Sequence, residues 1–233
     1  MILIFLMLIL QVSVFAAGTP AGETITTEGT VKAVGPDNAE RVLKRGGAFY
    51  ALETIVVAAA SKAQLKFSDG GLVNLIPSTE FRIDSYSFKD SSGADHSLTS
   101  LAKGGFRSIS GSIAQENPSS VSVQTPVATI GLRGTVLEVN IVGGKLFCGC
   151  TQGRVQVSNS KGSVVIGEGG DKYATVPQNA QPASQQTQPS ALAPTNFTPP
   201  AGAINFGGTA APGAPTAPGQ MQVAPTEGLQ CRN

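Results

Sequence analysis

Between Thr24 and Val176 apolar residues recur at every second position along the chain. Ala63-Gln-Leu65-Lys-Phe67, Phe81-Arg-Ile83-Asp, Val121-Ser-Val123-Gln and Val155-Gln-Val157-Ser all alternate apolar with polar. Val136, Glu138 and Asn140 fall on one face of such a run, and Leu137, Val139 and Ile141 on the other. Side chains alternate across a pleat, so this period predicts half-buried strands with one face on a core. Turn residues punctuate the runs at Ser68-Asp69-Gly70-Gly71, Pro77-Ser78, Asp90 to Gly93, Gly143-Gly144 and Asn159 to Gly162. Asp69-Gly70 between two alternating segments is the strongest hairpin signal, and it predicts a type I′ turn. Helical signals are poor. The β-branched run Thr54-Ile55-Val56-Val57 turns Ala48 to Lys62 into strand and turn, and Leu98 to Lys103 holds at most one helical turn before Gly104-Gly105. The expected class is all-β: many short strands arranged as a sandwich, a barrel or a short solenoid, with the glycine-marked spacing favouring solenoid-like coils.

The two ends depart from this pattern. Met1 to Phe15 is apolar except for Gln11 and Ser13, too short for the roughly 20 residues a bilayer span needs. Val14-Phe15-Ala16 supplies small residues for a signal peptidase, so residues 1–16 read as an export signal cut near Ala16. No Lys or Arg precedes the run, so the signal is atypical or its true start lies upstream. No second span follows, and after cleavage no stable membrane span is expected. The β domain is placed at 25–176. From Pro177 onward ten of the fifteen prolines appear among Ala, Gln, Thr and Gly, with Glu227 and Arg232 as the only charges. Such a chain cannot offset its ordering entropy, so 177–233 is expected to be a disordered spacer. Asn196-Phe197-Thr198 and Asn205-Phe206-Gly207 are apolar islands in it that are candidate docking spots.

Composition narrows the chemistry. With 16 Lys+Arg against 15 Asp+Glu the net charge is +1, which gives no field to gather nucleic acid. The single His excludes a multi-histidine metal site. No cofactor is expected. Asp69, Asp84, Asp90 and Asp95 lack the 1-3-5 oxygen spacing of a calcium loop. Asp95-His96-Ser97 holds the letters of a triad, but neighbours on one loop cannot form the relay, so no nucleophile and base pair emerges and no catalysis is expected. Gly167 to Asp171 is glycine-rich but has no Lys-Ser/Thr and no following helix to cradle phosphate. Cys148, Cys150 and Cys231 make an odd count. In an oxidising compartment a structural disulfide is expected, with Cys231 reaching Cys148 or Cys150 or bridging to a second molecule.

A longer pattern carries a family resemblance. Ser61-Lys-Ala63-Gln-Leu65-Lys-Phe67-Ser-Asp69-Gly70 runs on to Pro77-Ser78-Thr79-Glu80-Phe81. It is followed by Gly104-Gly105-Phe106-Arg107, Ser110-Gly111 and Thr125-Pro126-Val-Ala-Thr-Ile-Gly131-Leu-Arg133-Gly134-Thr135. Gly153-Arg-Val155-Gln-Val157 and Ile166 to Ala174 close the series. Over about residues 50 to 176 this resembles the FecR-domain family. The resemblance implies a β-rich module outside the cytoplasm, of the kind that relays the state of an outer-membrane transporter to a sigma regulator. The chain departs from that plan: no cytoplasmic segment precedes the apolar run and no membrane helix follows, which points to a stand-alone exported member. The expected partner is an envelope protein or polymer, with a TonB-dependent receptor or sigma regulator as the alternative.

Within the resemblance, Asp69, Gly70, Arg107, Thr125, Pro126, Gly131, Arg133, Gly134 and Thr135 are the candidate structural or interaction residues. Arg133 is expected to brace its turn against a carboxylate or free carbonyls. The competing reading joins it to Arg107 and Arg82 as a site for an anion.

Overall fold

A computed structural model describes residues 19–89 and 94–204. The export signal, the turn at Asp90 to Gly93, the Asn205-Phe206-Gly207 island and Cys231 lie outside the described residues. The early strands are Gly22–Glu28 (β1), Val31–Val34 (β2), Glu40–Val42 (β3), Ala48–Phe49 (β4), Thr54–Val57 (β5), Lys62–Phe67 (β6) and Leu72–Leu75 (β7). Glu80–Ser87 (β8) and His96–Ile109 (β9) follow, then a short helix, Ser112–Glu116 (α1). Val121–Gln124 (β10), Thr129–Val142 (β11), Lys145–Asn159 (β12), Gly162–Gly167 (β13), Tyr173–Val176 (β14) and Ala183–Gln185 (β15) complete the sheet. The class is all-β, as the alternation requires. Leu98 to Lys103, expected to hold at most one helical turn, is strand throughout.

Three strands are long and bent, and they organise the rest. The first half of β9 pairs with β8 and, in parallel, with β10; its second half pairs with β7 and β11. β11 and β12 do the same, changing neighbours near Gly134 and Gly153. One continuous sheet therefore folds into two layers. The first runs β3-β2-β5-β8-β9-β10-β11-β12-β13, and the second β4-β1-β6-β7-β9-β11-β12-β14-β15. All pairs are antiparallel except β9–β10, so the arrangement is sandwich-like and not a stack of parallel coils. The inner faces meet through Phe81 against Phe106 at 5.4 Å and Phe67 against Tyr86 at 5.3 Å. Ile55, Leu65, Leu75, Ile83, Leu101, Ile130, Leu137 and Val155 fill one common core.

The bends need particular residues. At Gly153 (φ +73°) a Cβ would lie 2.3 Å from the Gly134 carbonyl oxygen and 2.7 Å from that of Arg133. The Asp69-Gly70 hairpin is present between β6 and β7, but it is not type I′. Only Gly70 is left-handed (φ +86°), and the loop has three residues closed by Phe67 N–H to Gly71 O. The two-residue turn with two positive φ values sits instead at Gly143-Gly144.

The boundary at Pro177 also moves. Ala183–Gln185 adds a strand to β14, and 3-10 turns at Ser190–Leu192 and Pro194–Phe197 pack on the outer face of the second layer. The segment to Ile204 is part of the folded body. Its prolines exclude regular pairing, but Leu192 and Phe197 supply the burial that composition alone did not reveal.

Candidate functional site

The Asp69 corner is structural. Its Oδ1 accepts the Gly71 N–H (3.0 Å), its Oδ2 the Ile113 N–H (3.4 Å), and its backbone carbonyl accepts from Ser112. The carboxylate thus fastens the hairpin to the first turn of α1. The Asp69 N–H in turn donates to the Tyr86 hydroxyl at 2.9 Å, and burial pushes that phenol up to about 12. Asp84 meets Arg82 and Ser100, while Asp95 accepts from the Lys89 N–H. These carboxylates go separate ways.

Thr125 and Pro126 form the tip between β10 and β11. The Thr125 hydroxyl donates to the Ala128 carbonyl (2.7 Å) and accepts the Ala128 N–H (3.0 Å). Thr135 is buried where β11 bends, its N–H donating to the Ser110 hydroxyl at 3.1 Å. Both threonines are local clamps. Gly131 and Arg133 differ: they point outward from the first layer, since Ile130 and Leu132 take the inward positions. Arg133 stands directly opposite Arg154 on β12, both exposed. Among the described residues neither meets a carboxylate, so the expected brace of the turn is absent. The grouping with Arg82 and Arg107 is absent too. Arg82 pairs with Asp84 at 3.1 Å, and Arg107 lies on the second layer beside Glu138. A Cβ at Gly131 or at Gly134 would meet nothing within 4 Å, so this corner is a low, open platform carrying two guanidinium groups.

The second layer presents the opposite kind of face. Strand register sets Thr26, Gln64, Asn74, Arg107, Glu138, Gly149 and Tyr173 in one transverse row across seven strands. Most of these polar side chains are buried although they point away from the core, because residues 188–204 lie over them. Asn140 donates to the Ala191 carbonyl (2.9 Å), and Gln64 accepts the Ile204 N–H (2.7 Å) while donating to its carbonyl (3.0 Å). Leu192 and Phe197 seat on Ile76, Phe147 and Tyr173. Burial pushes the Glu138 carboxyl up against the lowering effect of Arg107, whose Nε is 3.4 Å away. Sequence reasoning singled out Arg107 here and missed Gln64, Asn74, Glu138 and Asn140. Outward polar residues of a strand normally read as solvated, and only the overlying segment distinguishes these.

Cys148 and Cys150 share one face of β12, as alternation predicts, but that face is the core. Both thiols are free and buried, so the expected disulfide is not found among the described residues, and Cys231 lies outside them. Burial pushes the Cys150 thiol up to about 11 and Cys148 further. In a Cys231→Ser variant we expect native-state labelling of the remaining thiols to be slower than in denaturant by roughly two orders of magnitude. Fast reaction of either thiol under native conditions would contradict the packing.

His96 bonds Ser85 across the β8–β9 pair, not Ser97. Its Nε2 lies 2.7 Å from Ser85 Oγ, and Nδ1 lies 2.9 Å from the Ala94 carbonyl. With Nδ1 protonated toward that carbonyl, Nε2 accepts from the serine. Each group is thereby satisfied at the exposed end of a hairpin.

The class defined by these layers is an all-β, sandwich-like domain with one outer face open and one covered. Residues 53–156 match the family described as "FecR protein", so this part of the chain is similar to a FecR domain. The match runs from β5 into the second half of β12 and includes the Asp69 hairpin, bent β9 and the Arg133 corner. Two crystal structures of a "putative anti-sigma factor" from Parabacteroides distasonis are similar at 16% identity and a TM-score of 0.45, covering 57% of this chain and 59% of that one. The chain thus spans less than two thirds of those proteins. No curated protein matches it.

Proposed function

We propose that this protein is an exported FecR-domain module of the bacterial envelope that acts by binding and transforms nothing. The carrying observation is the Arg133–Arg154 pair beside Gly131 on the open face. Like charges opposite one another across two strands disfavour the sheet. A partner's carboxylates or phosphates relieve that cost, and the planar guanidinium forks suit such groups bidentately. Gly131 allows a partner backbone to approach the strand closely. Export rests on the apolar run at 1–15 with its cleavage site near Ala16, which leads to the periplasm or beyond. The family match favours one further reading, in which the partner is a TonB-dependent receptor or sigma regulator and the module relays a transporter's state. Against catalysis stands the half-buried Ser85–His96 pair, whose imidazole Nδ1 meets the Ala94 backbone carbonyl and, among the described residues, no carboxylate. An ester or peptide hydrolysis lost on His96→Ala would overturn that part.

The test is retention of envelope components on the immobilised chain. Gly131→Trp and Arg133→Glu/Arg154→Glu place bulk or reversed charge on the platform without touching the core, so their melting temperatures stay near wild type. We expect wild type to retain an anionic partner in a salt-sensitive manner and both variants to lose it. A transporter or sigma regulator in the eluate identifies a relay; a glycan or surface protein identifies envelope attachment. Equal retention by all three proteins would refute the assignment of this face.

A further inference from the structure

The covered face is built as a receptor, and its cover is built as a ligand. We infer that the outer face of the second layer is a peptide-receiving groove, that residues 188–204 are its built-in occupant, and that an extended, proline-punctuated segment of a partner protein with two apolar anchors five residues apart takes their place.

The hydrogen bonds show what the groove reads. Gln64, fully buried, offers one acceptor and one donor to the N–H and carbonyl of Ile204, as a neighbouring strand would. Asn140 reads the Ala191 carbonyl, Thr26 donates to the Ala201 carbonyl at 3.1 Å, and the Glu28 carboxylate accepts the Ala201 N–H. Every one of these bonds goes to the occupant's backbone, so the groove recognises extended chain and not a particular polar sequence. Selectivity comes from two anchors. Leu192 is 0% exposed and rests where Gly149 leaves room, since a Cβ there would stand 3.3 Å from its Cδ1. Phe197 is 3% exposed against Ile76. The occupant's polar side chains serve its own shape: Gln188 donates to the Leu192 carbonyl and Asn196 to the Ala191 carbonyl.

The fit in cis is incomplete. Asn74 sits in the same row, 2% exposed, with its Oδ1 taken by Gln64 but its Nδ2 buried without a hydrogen-bond partner among the described residues. The groove therefore holds one more donor than residues 188–204 satisfy. A partner segment whose carbonyl falls at that position gains a bond the resident segment does not make. Release of the resident segment parts the two anchors and these backbone bonds. This groove is separate from the Arg133 platform. The proposal rests on the binding reading only for where the partner resides, and its test uses none of the platform residues.

The test uses the full chain and a labelled synthetic peptide of sequence 188–204, with fluorescence anisotropy as the readout. The intact chain is expected to bind it weakly because its groove is filled, whereas Leu192→Ala/Phe197→Ala binds at least roughly tenfold tighter, as apparent affinity follows the fraction of open groove. A peptide with both anchors replaced by alanine does not bind. Hydrogen exchange of β7 and β12 reports that the variant stays folded. Should it not, a protease site placed after Gln186 gives a nicked chain that keeps the groove contacts of 188–204 yet makes the resident segment exchangeable, and the labelled peptide then replaces it. A folded or nicked chain that binds the peptide no better than the intact one would overturn the proposal. So would a concentration-dependent dimer that forms through 188–204 and resists excess peptide, which would assign the groove to a second copy.

Discussion

Gly153→Ala is expected to cost about 3 kcal/mol or more, enough to leave a domain of ordinary stability partly unfolded. The added Cβ enters the space of two backbone carbonyl oxygens, Gly134 at 2.3 Å and Arg133 at 2.7 Å. Neither can swing away as a side chain would, because β11 is itself bending there between two partners. The left-handed φ of +73° adds its own strain for any residue with a Cβ. Urea denaturation followed by far-ultraviolet dichroism measures the loss. Gly131→Ala is the control: it is three strand positions from the bend, its Cβ would meet open space, and its midpoint should stay within about 0.5 kcal/mol of wild type. A Gly153→Ala protein with an unchanged midpoint would show that the strands do not bend where described.

The second large effect concerns Arg107→Met. This change keeps an unbranched apolar stem and strands Glu138 in a covered position without its cation. Breaking a buried ion pair costs about 3–5 kcal/mol; because Arg107 keeps a quarter of its side chain in solvent, about 2–3 kcal/mol is expected at neutral pH. The pH dependence has a definite sign. Burial already raises the folded-state pKa of Glu138 above its ordinary value of 4.5, and removing Arg107 takes away the opposing cause. A carboxyl raised on folding binds its proton more tightly in the native state, so stability falls as pH rises from 4.5 through the raised value. The deficit of Arg107→Met should therefore be full above that window and shrink on acidification through it. Denaturation midpoints of both proteins across that range decide the matter. A deficit that stays constant with pH would mean that Glu138 does not carry it.

The alternation of Ala63 to Phe67 or Leu137 to Ile141 was enough to assign strands and to separate core from outer face. It could not say how the strands associate, because the decisive fact lies at the bends. Gly104, Gly134 and Gly153 resemble turn residues in sequence, yet each continues a single strand from one layer into the other. For the same reason Leu98 to Lys103 reads as at most one helical turn when it belongs to the first half of β9. The site was legible in part. Thr125, Thr135 and Asp69 stood out by residue type and clamp the tip, the bend and the hairpin, with Pro126 at the tip beside Thr125. The polar row did not stand out, since Gln64, Asn74, Glu138 and Asn140 occupy positions where any strand carries solvated residues. What buries them lies more than forty residues further along the chain, in a stretch whose prolines argued against order. Leu192 and Phe197 were the available clue, two large apolar residues spaced to reach two pockets on one sheet.

Three strands traverse both layers without a break, so the molecule has no seam along which its halves can part. Tension applied by a ligand on either side travels through covalent backbone, and the opposite side feels it without any rigid-body swing.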